Sequence, residues 1–249
     1  MQQLRICTNL RKSLTTIRTK HNELYMLHIS LSPRFKELCP SFRGIAFTAD
    51  VTNTPTSEAL WREINEQAAF FRERYTTDDI KLLSGIQATR AAYKAAGKDP
   101  SRYRPSNEQL ARRILQGKDL YSISTIVDLG NLISLVCNYS VGAINAGKLE
   151  GTHICLDFGE KDEPYEGIGR GALNIEHLPV YRDAAGPFAT PTSDSTRTMM
   201  QMDTHRLLLL INAYDGDLAK MEHITDFTLR KLAEYAHAEN IEHWGFGNE

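Results

Sequence analysis

The segment "HRLLLLINAY", residues 205–214, contains five successive aliphatic residues, Leu207–Ile211. A strand with one face in water alternates apolar and polar side chains. An unbroken apolar run is typical of a strand that is covered on both faces. We therefore predict that this segment is a buried strand at the centre of the fold.

Further strands are expected on the N-terminal side of this stretch. "YMLHISLSP" (25–33) and "FRGIAFTADV" (42–51) are predicted as strands, the second because of its β-branched and aromatic residues. Shorter strands are predicted in "VGAIN" (141–145), "THICLDFG" (152–159) and "HLPVYRD" (177–183). The tail "IEHWGFGNE" (241–249) is expected to be a short polar-aromatic segment.

Five segments have the periodicity or the boundary signals of helices. They are 54–75, 76–98, 106–117, 122–140 and 216–240. Ser57 is a plausible N-cap of the first helix, and Gly97 is a C-terminal stop for the second. Ser106 and Gln109 match a capping box at the start of the third. Helices in the first half, strands in the middle and a final helix predict an α+β fold.

The chain length and composition favour one domain. With 249 residues and 41 % hydrophobic content, the chain can bury one sizeable core. We assign residues 26–249 to this domain. Residues 1–25 are basic and lack a continuous apolar stretch, so they are expected to be a disordered arm or a start-site extension rather than a signal peptide.

Positive charge is concentrated in one segment although the whole chain has a net charge of −2. Residues 90–118 carry eight Lys or Arg against two acids, a net charge of 8 − 2 = +6. The segment either contacts phosphates of RNA or pairs with acidic neighbours such as Glu63, Glu66 and Asp128. The candidates for RNA contact are Arg102, Arg104, Arg112 and Arg113.

The motifs of several enzyme classes are missing from the sequence. It has no HExxH, no GxxxxGK[ST] and no GxSxG, and "GIGRG" (167–171) is predicted to be a flexible loop. No apolar run approaches the ~18 residues of a membrane span. The cysteines are expected to be buried free thiols in a reducing, cytoplasmic setting; they are Cys7, Cys39, Cys137 and Cys155. We expect no metal, cofactor or membrane partner, and spacing alone identifies no enzyme.

Four sequence pieces, in this order and spacing, carry a family resemblance. They are "GKDPSRYRPS" (97–106), "LARRIL" (110–115), "VDLGNLISL" (127–135) and the pattern Asp194-Ser195-x-x-Thr198. Over roughly residues 26–240 the chain resembles the B3/B4 domain of the phenylalanyl-tRNA synthetase beta subunit and, more closely, stand-alone B3/B4 proteins. The resemblance implies a three-layer sandwich of sheets and helices with a central pocket. In the synthetase, that pocket hydrolyses tyrosine wrongly attached to tRNA(Phe).

The resemblance also implies a set of pocket residues, with some departures from the family pattern. Gly130 and Gly142 stand where the synthetase has a threonine and a histidine, and no acid aligns with its pocket glutamate near 195–197. The residues expected to bind substrate are Asp128, Gly130, Gly142 and Asp194. The residues expected to place the catalytic water are Asn131, Asn145, Ser195 and Thr198.

Two functions follow from these expectations. The first is a protein that binds tRNA or aminoacyl-tRNA and hydrolyses mischarged aminoacyl-tRNA in trans. The alternative, favoured by the replaced pocket residues, is a non-catalytic module that binds an amino acid-like molecule, RNA or a protein partner. Structural roles are open too, because Asp128 could pin its helix and "SDSTRT" (193–198) could be a hydrogen-bonded turn.

Overall fold

The computed structural model describes residues 26–248. The predicted arm, residues 1–25, lies outside the described residues, as does Cys7. The α-helices of the described part are α1 (Pro33–Leu38), α2 (Glu58–Arg74), α3 (Ser84–Ala95), α4 (Ser106–Leu115), α5 (Thr125–Cys137) and α6 (Leu218–Ala236). Its strands are β1 (His28–Leu31), β2 (Arg43–Asp50), β3 (Ser140–Asn145), β4 (His153–Phe158), β5 (Glu166–Gly167), β6 (Gly171–Ala172), β7 (Pro179–Asp183), β8 (Gly186–Ala189), β9 (Arg206–Ala213) and β10 (Glu239–Gly247).

Two four-stranded sheets organise these strands. The central sheet has the order β10–β2–β9–β3 and is antiparallel throughout. The outer sheet has the order β1–β4–β7–β8, with β1 parallel to β4 and the other pairs antiparallel. Strands β5 and β6 form a small separate hairpin, so "GIGRG" lies in and around a tight turn.

The alternation of side chains along β9 places the central sheet between two apolar layers. Leu207, Leu209 and Ile211 belong to the core that the sheet shares with α2, α5 and α6. Leu208 and Leu210 belong to the core that it shares with the outer sheet. The prediction that this strand is covered on both faces is confirmed, and the molecule is an α+β structure with layers of helices, central sheet and outer sheet.

Several local signals in the sequence work as predicted. The Ser57 hydroxyl accepts a hydrogen bond from the backbone N of Leu60 at 3.2 Å and caps α2. Gly97 follows the end of α3 with φ of +91°, a left-handed conformation in which glycine avoids the steric cost of a side chain. Both helix boundaries therefore follow from local chemistry.

The segment 76–98 is not one continuous helix. Asp79 accepts hydrogen bonds from the backbone N and the hydroxyl of Thr76, both at 2.7 Å, and this local turn competes with a helix. A short 3-10 turn follows, and Leu83 is extended before α3 begins at Ser84.

The capping box predicted at Ser106 is wrong. Pro105 is the N-cap of α4 and supplies no side-chain bond. The Gln109 amide instead donates to the carbonyl oxygens of Arg104 at 2.7 Å and Thr192 at 3.2 Å. A contact distant in sequence has replaced the local one, and it ties α4 to the segment after β8.

The C-terminal segment is a strand rather than an irregular tail. Residues 239–247 form β10 and pair with β2 along the edge of the central sheet. The ring of Phe246 lies directly on Gly44, where a Cβ atom would come within 2.2 Å of the ring. Helix α1 and strand β8 are further elements that the sequence pattern did not reveal.

The described part of the chain holds the expected free thiols, but Cys155 is half-buried rather than buried. Cys39, Cys137 and Cys155 are free, and the first two are buried. Burial raises the pKa of the Cys39 and Cys137 thiols to about 12, which keeps them protonated and unreactive. Within residues 26–248, no helix is long and apolar enough to cross a bilayer, and no three potential metal-ligating side chains cluster together.

Candidate functional site

A small polar cavity lies between the two sheets, where β3 and β9 of the central sheet face β7 and β8 of the outer sheet. Its volume is about 40 Å³, which is room for a few water molecules or a small polar group. The polar residues that line it include Ser140, Tyr181, Thr190, Ser193, Asp194 and Asn212, and Gly142 adds backbone.

The floor of this cavity is built by strand register. Ser140 lies opposite Asn212 in the β3–β9 pairing, and Gly142 lies opposite Leu210. The Tyr181 hydroxyl donates to Asn212 Oδ1 at 2.5 Å, and Asn212 Nδ2 donates to the Ser140 carbonyl oxygen at 3.2 Å. The polar groups of Tyr181 and Asn212 are thus hydrogen-bonded to each other and to the backbone, and the two residues form a rigid floor of the cavity.

The Ser140 hydroxyl is a buried polar group of the cavity that no other described residue uses. Ser140 is only 1 % exposed, and its Oγ has no hydrogen-bond partner among the described residues. A buried hydroxyl without a partner costs about 1–3 kcal/mol. A bound water or ligand in the cavity would recover that free energy.

Asp194 supplies the charged group of the cavity. Its Oδ1 lies 3.4 Å from the position that a Cβ on Gly142 would occupy, and the backbone amide of Ala143 faces its carboxylate. Asp194 is half-buried, and the removal of its carboxyl group from water raises the pKa of this group to about 7. The structure therefore brings two of the predicted residues, Gly142 and Asp194, together at one site.

Ser195 and Thr198 hold the turn that presents Asp194. Ser195 Oγ accepts from the backbone N of Arg197 at 3.2 Å, and the Ser195 amide donates to the Phe188 carbonyl at 2.9 Å. Thr198 is fully buried, and its hydroxyl donates to the same carbonyl at 3.3 Å. The structure places both side chains in the support of the cavity wall, and neither lines the cavity.

Asn145 is also engaged in local structure. Its Oδ1 accepts from the Gly147 backbone N and its Nδ2 donates to Thr204 Oγ1, both at 3.1 Å. The side chain is buried and fixes the turn that follows β3. It does not line the cavity.

The residues expected on α5 lie on the other side of the central sheet. A Cβ on Gly130 would lie 3.8 Å from Val141, which points toward the helices, whereas Gly142 points toward the outer sheet. Successive residues of a strand face opposite sides. Gly130 therefore cannot widen the cavity that Gly142 borders. Asn131 is half-buried and does not line the cavity, and its side chain makes no hydrogen bond within residues 26–248.

Asp128 pins the start of α5 rather than bordering the cavity. It is fully buried and accepts hydrogen bonds from the Thr56 hydroxyl, from the Ser122 hydroxyl at 3.1 Å and from the Ile123 backbone N at 3.1 Å. Burial raises the pKa of this carboxyl group, and the three donors oppose that rise. These bonds join α5 to the loop before α2.

The basic segment is organised by one buried acid that sequence reasoning missed. Glu108 is fully buried, and its carboxylate contacts Arg90 at 2.8 Å, Arg112 at 2.9 Å and Arg104 at 3.8 Å. One negative charge thus holds three positive charges, which leaves a net charge of +2 on this cluster, hereafter the Glu108 cluster.

Two of the expected acidic partners of the basic segment are engaged elsewhere, and the third, Glu66, is exposed on α2. Glu63 binds Lys231 at 2.7 Å, and Asp128 is occupied by hydroxyl and amide donors. Arg113 stacks on the Tyr121 ring at 3.9 Å, whereas Arg102 is exposed beside Tyr103. The four arginines predicted to contact RNA therefore differ in solvent exposure: Arg102 and Arg104 are exposed, whereas Arg112 and Arg113 are half-buried.

The Glu108 cluster adjoins the cavity through α4. Ser106, the first residue of this helix, lines the cavity, and Arg104 lies two residues before it. Arg170, from the β5–β6 hairpin, donates to the Gln109 side chain on the same helix. The cavity thus has a basic neighbourhood on its α4 side.

These features define a class of protein: an α+β sandwich with a polar cavity between two sheets and basic residues beside it. The sequence matches the B3/4 domain over residues 88–234, which include the cavity and the Glu108 cluster, and the chain belongs to the B3/4 domain family. Comparison with curated proteins gives no match.

One solved structure similar to this chain is an N-terminal fragment of the phenylalanyl-tRNA synthetase beta-subunit from Pyrococcus horikoshii. The identity is 12 % and the TM-score is 0.45. The alignment covers 88 % of this chain and 51 % of that fragment, so the chain spans about half of its length.

Proposed function

We propose that this protein binds the aminoacylated 3′ end of a tRNA and hydrolyses its ester bond in trans. The observation that carries the proposal is the cavity within the B3/4 segment, which is lined by Asp194, Gly142 and the unpartnered Ser140 hydroxyl. Polar groups kept unpaired in an interior are costly, and they are typical of ligand sites. In this proposal residues 26–249 act as one B3/4 domain.

The Glu108 cluster supports an RNA ligand. Arg104 and Arg112 each have one face held by the buried carboxylate, and their side chains remain 47 % and 30 % exposed. Arginines held in this way lose little further side-chain entropy when they bind phosphate, and phosphate contacts position RNA without reading its sequence. Arg102 and Arg113 extend the same basic surface along the segment 102–113.

Hydrolysis of an aminoacyl ester requires mainly that a water molecule and the ester are correctly oriented. The oxygen of a water molecule attacks the ester carbonyl carbon, the bond from that carbon to the ribose oxygen breaks, and a proton from the water ends on the ribose oxygen. A free amino acid and an uncharged tRNA result. Such a reaction is accelerated by a fixed water and by hydrogen bonds to the developing charge.

The residues predicted to place the catalytic water keep roles in this proposal, and Ser140, which the sequence did not single out, is added to them. The Ser140 hydroxyl has no partner among the described residues, so it can donate a hydrogen bond to the water and still accept one from the substrate. Asn145, Ser195 and Thr198 are positioning residues that fix the walls through their turns. Asn131 keeps an unused side-chain amide and is tested as a water-placing residue directly.

The deciding experiment is deacylation of a panel of correctly and incorrectly charged tRNAs by the purified protein. We expect selective loss of one class of ester, abolished by Ser140→Ala and by Ser195→Ala. Asn131→Ala measures the contribution of that amide. Glu66→Gln, an exposed position on α2, is the matched control and should retain full activity. Ester loss at the uncatalysed rate across the panel would contradict the proposed hydrolysis.

The small volume of the cavity favours a second function, a binding module without turnover. A cavity of about 40 Å³ holds a polar head group but not a whole amino acid. Binding of an aminoacyl-tRNA or of a non-hydrolysable analogue, with no ester loss, would establish this function. The same panel, read by filter binding at two salt concentrations, separates it from a hydrolase.

A further inference from the structure

The Asp194 carboxylate has no cationic partner within residues 26–248. Arg197, three residues later, is paired with Asp183 at 2.8 Å, and Arg170 is bound to Gln109. The hydroxyls of the two tyrosines on which the Asp194 charge acts have other partners: Tyr165 donates to the Ser193 carbonyl and Tyr181 donates to Asn212. The backbone amide of Ala143 is the group that faces the carboxylate.

The ionised form of the Asp194 carboxylate is energetically unfavourable in these surroundings. Burial disfavours the ionised form unless an opposite charge compensates for it. The cavity beside it contains an oxygen without a hydrogen-bond partner, Ser140 Oγ, on the same face of β3 as Gly142. The site therefore offers an anionic acceptor, a neutral acceptor and a small free volume, and it lacks a cation.

We infer that this cavity receives a primary ammonium group, with Asp194 and Ser140 Oγ as its hydrogen-bond acceptors. An ammonium group carries three N–H donors and one positive charge, so it matches a carboxylate, a hydroxyl oxygen and one water. Its size suits a cavity of about 40 Å³. Assigning it to the free α-amino group of an aminoacyl ester rests on the proposed function.

A divalent cation fits these groups less well. Calcium takes six to eight oxygen ligands and magnesium requires an octahedral set, with carboxylates the main protein ligands. Here Asp194 is the one carboxylate that lines the cavity, and the described residues include no cluster of three metal-ligating side chains. A monovalent organic cation with directed N–H donors is the better match.

Binding of an ammonium group should depend on pH in a defined direction. Burial raises the pKa of Asp194 to about 7, and the carboxylate form binds the cation. Affinity should therefore strengthen as the pH rises from 5 to 7, by up to tenfold per pH unit. Around the carboxylate, Tyr165 and Tyr181 have pKa values raised by burial and stay neutral in this range. Arg197 stays charged and paired with Asp183 throughout.

The test compares two forms of one ligand. The probes are 3′-aminoacylamino-3′-deoxyadenosines that carry each of the twenty amino acids, with the α-amino group either free or acetylated. Binding is followed by the amide NMR signals of Gly142 and Ala143, with methylammonium chloride as a separate small-cation probe. Asp194→Asn removes the charge at constant shape, Ser140→Ala removes the second acceptor, and Glu66→Gln is the control.

The expected result is that the free-amine form of at least one analogue binds and its acetylated form does not. Asp194→Asn should weaken binding by about 10- to 100-fold, and Ser140→Ala by about 2- to 10-fold, as for charged and neutral hydrogen bonds. Equal binding of free and acetylated forms would overturn the ammonium site and leave the proposed function standing. If methylammonium gives a signal that depends on Asp194 and no analogue binds, the ammonium site is supported. Its assignment to the α-amino group of an aminoacyl ester is then contradicted. No signal from any probe would overturn the ammonium site.

Discussion

At the scale of single residues, Gly142 and Gly130 lie in different surroundings, although the family resemblance predicted a pocket role for both. Gly142 borders the cavity, and Gly130 lies in the interior of α5 on the helix side of the central sheet. The sequence pointed to both positions equally. The two positions differ because successive residues of β3 face opposite sides. Val141 and Ala143 face the helices and lie beside Gly130, whereas Gly142 faces the outer sheet and borders the cavity.

We expect Gly142→Ala to weaken ligand binding by about tenfold or more without a large loss of stability. The new methyl group would lie 3.4 Å from Asp194 Oδ1, which is van der Waals contact, and would fill part of the free volume. Strand positions tolerate alanine, so the free energy of unfolding should change by less than about 1 kcal/mol. Titration of the methylammonium probe and urea unfolding measure the two effects, and unchanged affinity would show that this space is not used.

The matched substitution Gly130→Ala should raise the free energy of unfolding by about 1 kcal/mol and leave binding unchanged. Glycine in a helix interior costs about that much relative to alanine. The new methyl group would meet Val141 at 3.8 Å and Ala143 at 4.0 Å, which are ordinary packing distances. Urea unfolding checks the gain. A loss of affinity in this variant would mean that α5 contributes to the ligand site.

At the scale of elements, α4 depends on the Glu108 cluster. We expect Glu108→Gln to lower the free energy of unfolding by about 2–4 kcal/mol, because a buried carboxylate that balances three arginines is lost. The partial exposure of these arginines keeps the loss below that of a fully buried pair. Glu66→Gln on the exposed face of α2 is the control for the same chemical change. Equal urea midpoints for the two variants would contradict this role of Glu108.

The elements also show what local sequence patterns could and could not predict. The buried strand β9, the Ser57 cap of α2 and the Gly97 stop depend on nearby residues, and they were predicted correctly. Strand β10 depends on pairing with β2, and the false capping box at Ser106 was replaced by a bond from Gln109 to Thr192. Contacts between residues far apart in sequence leave no local periodicity.

The same distinction applies to the candidate site. Asp194 and Gly142 were found through the family pattern, whereas Ser140 and Glu108 became visible only as a buried unpartnered hydroxyl and a buried carboxylate. Asn212 gave the one local signal that sequence reasoning did not use, a polar residue at the end of an apolar strand. Burial and partner identity are properties of the folded chain, so residue type alone did not predict them.

At the scale of the whole molecule, Asp194 couples stability to pH. Its pKa is near 3.8 when unfolded and about 7 in the native state, so the folded protein holds this proton more tightly. This contribution to stability is fully present below pH 4, declines as the pH rises to about 7 and is then lost. Asp194→Asn should therefore stabilise the protein, relative to the original chain, more at pH 8 than at pH 5, by a few kcal/mol at most. Urea unfolding of both proteins at the two pH values checks this, and an equal difference at both would contradict it.

The pairing of β10 with β2 has a consequence for how the chain is made. Arg43 of β2 pairs with Gly247 of β10. One edge of β2 can therefore pair only after residues 239–247 have been synthesised. Until then the nascent chain presents an open strand edge, which is a template for wrong association. A ribosome-bound chain halted before residue 239 should accordingly recruit chaperones, and release of the same chain past residue 247 should free it from them.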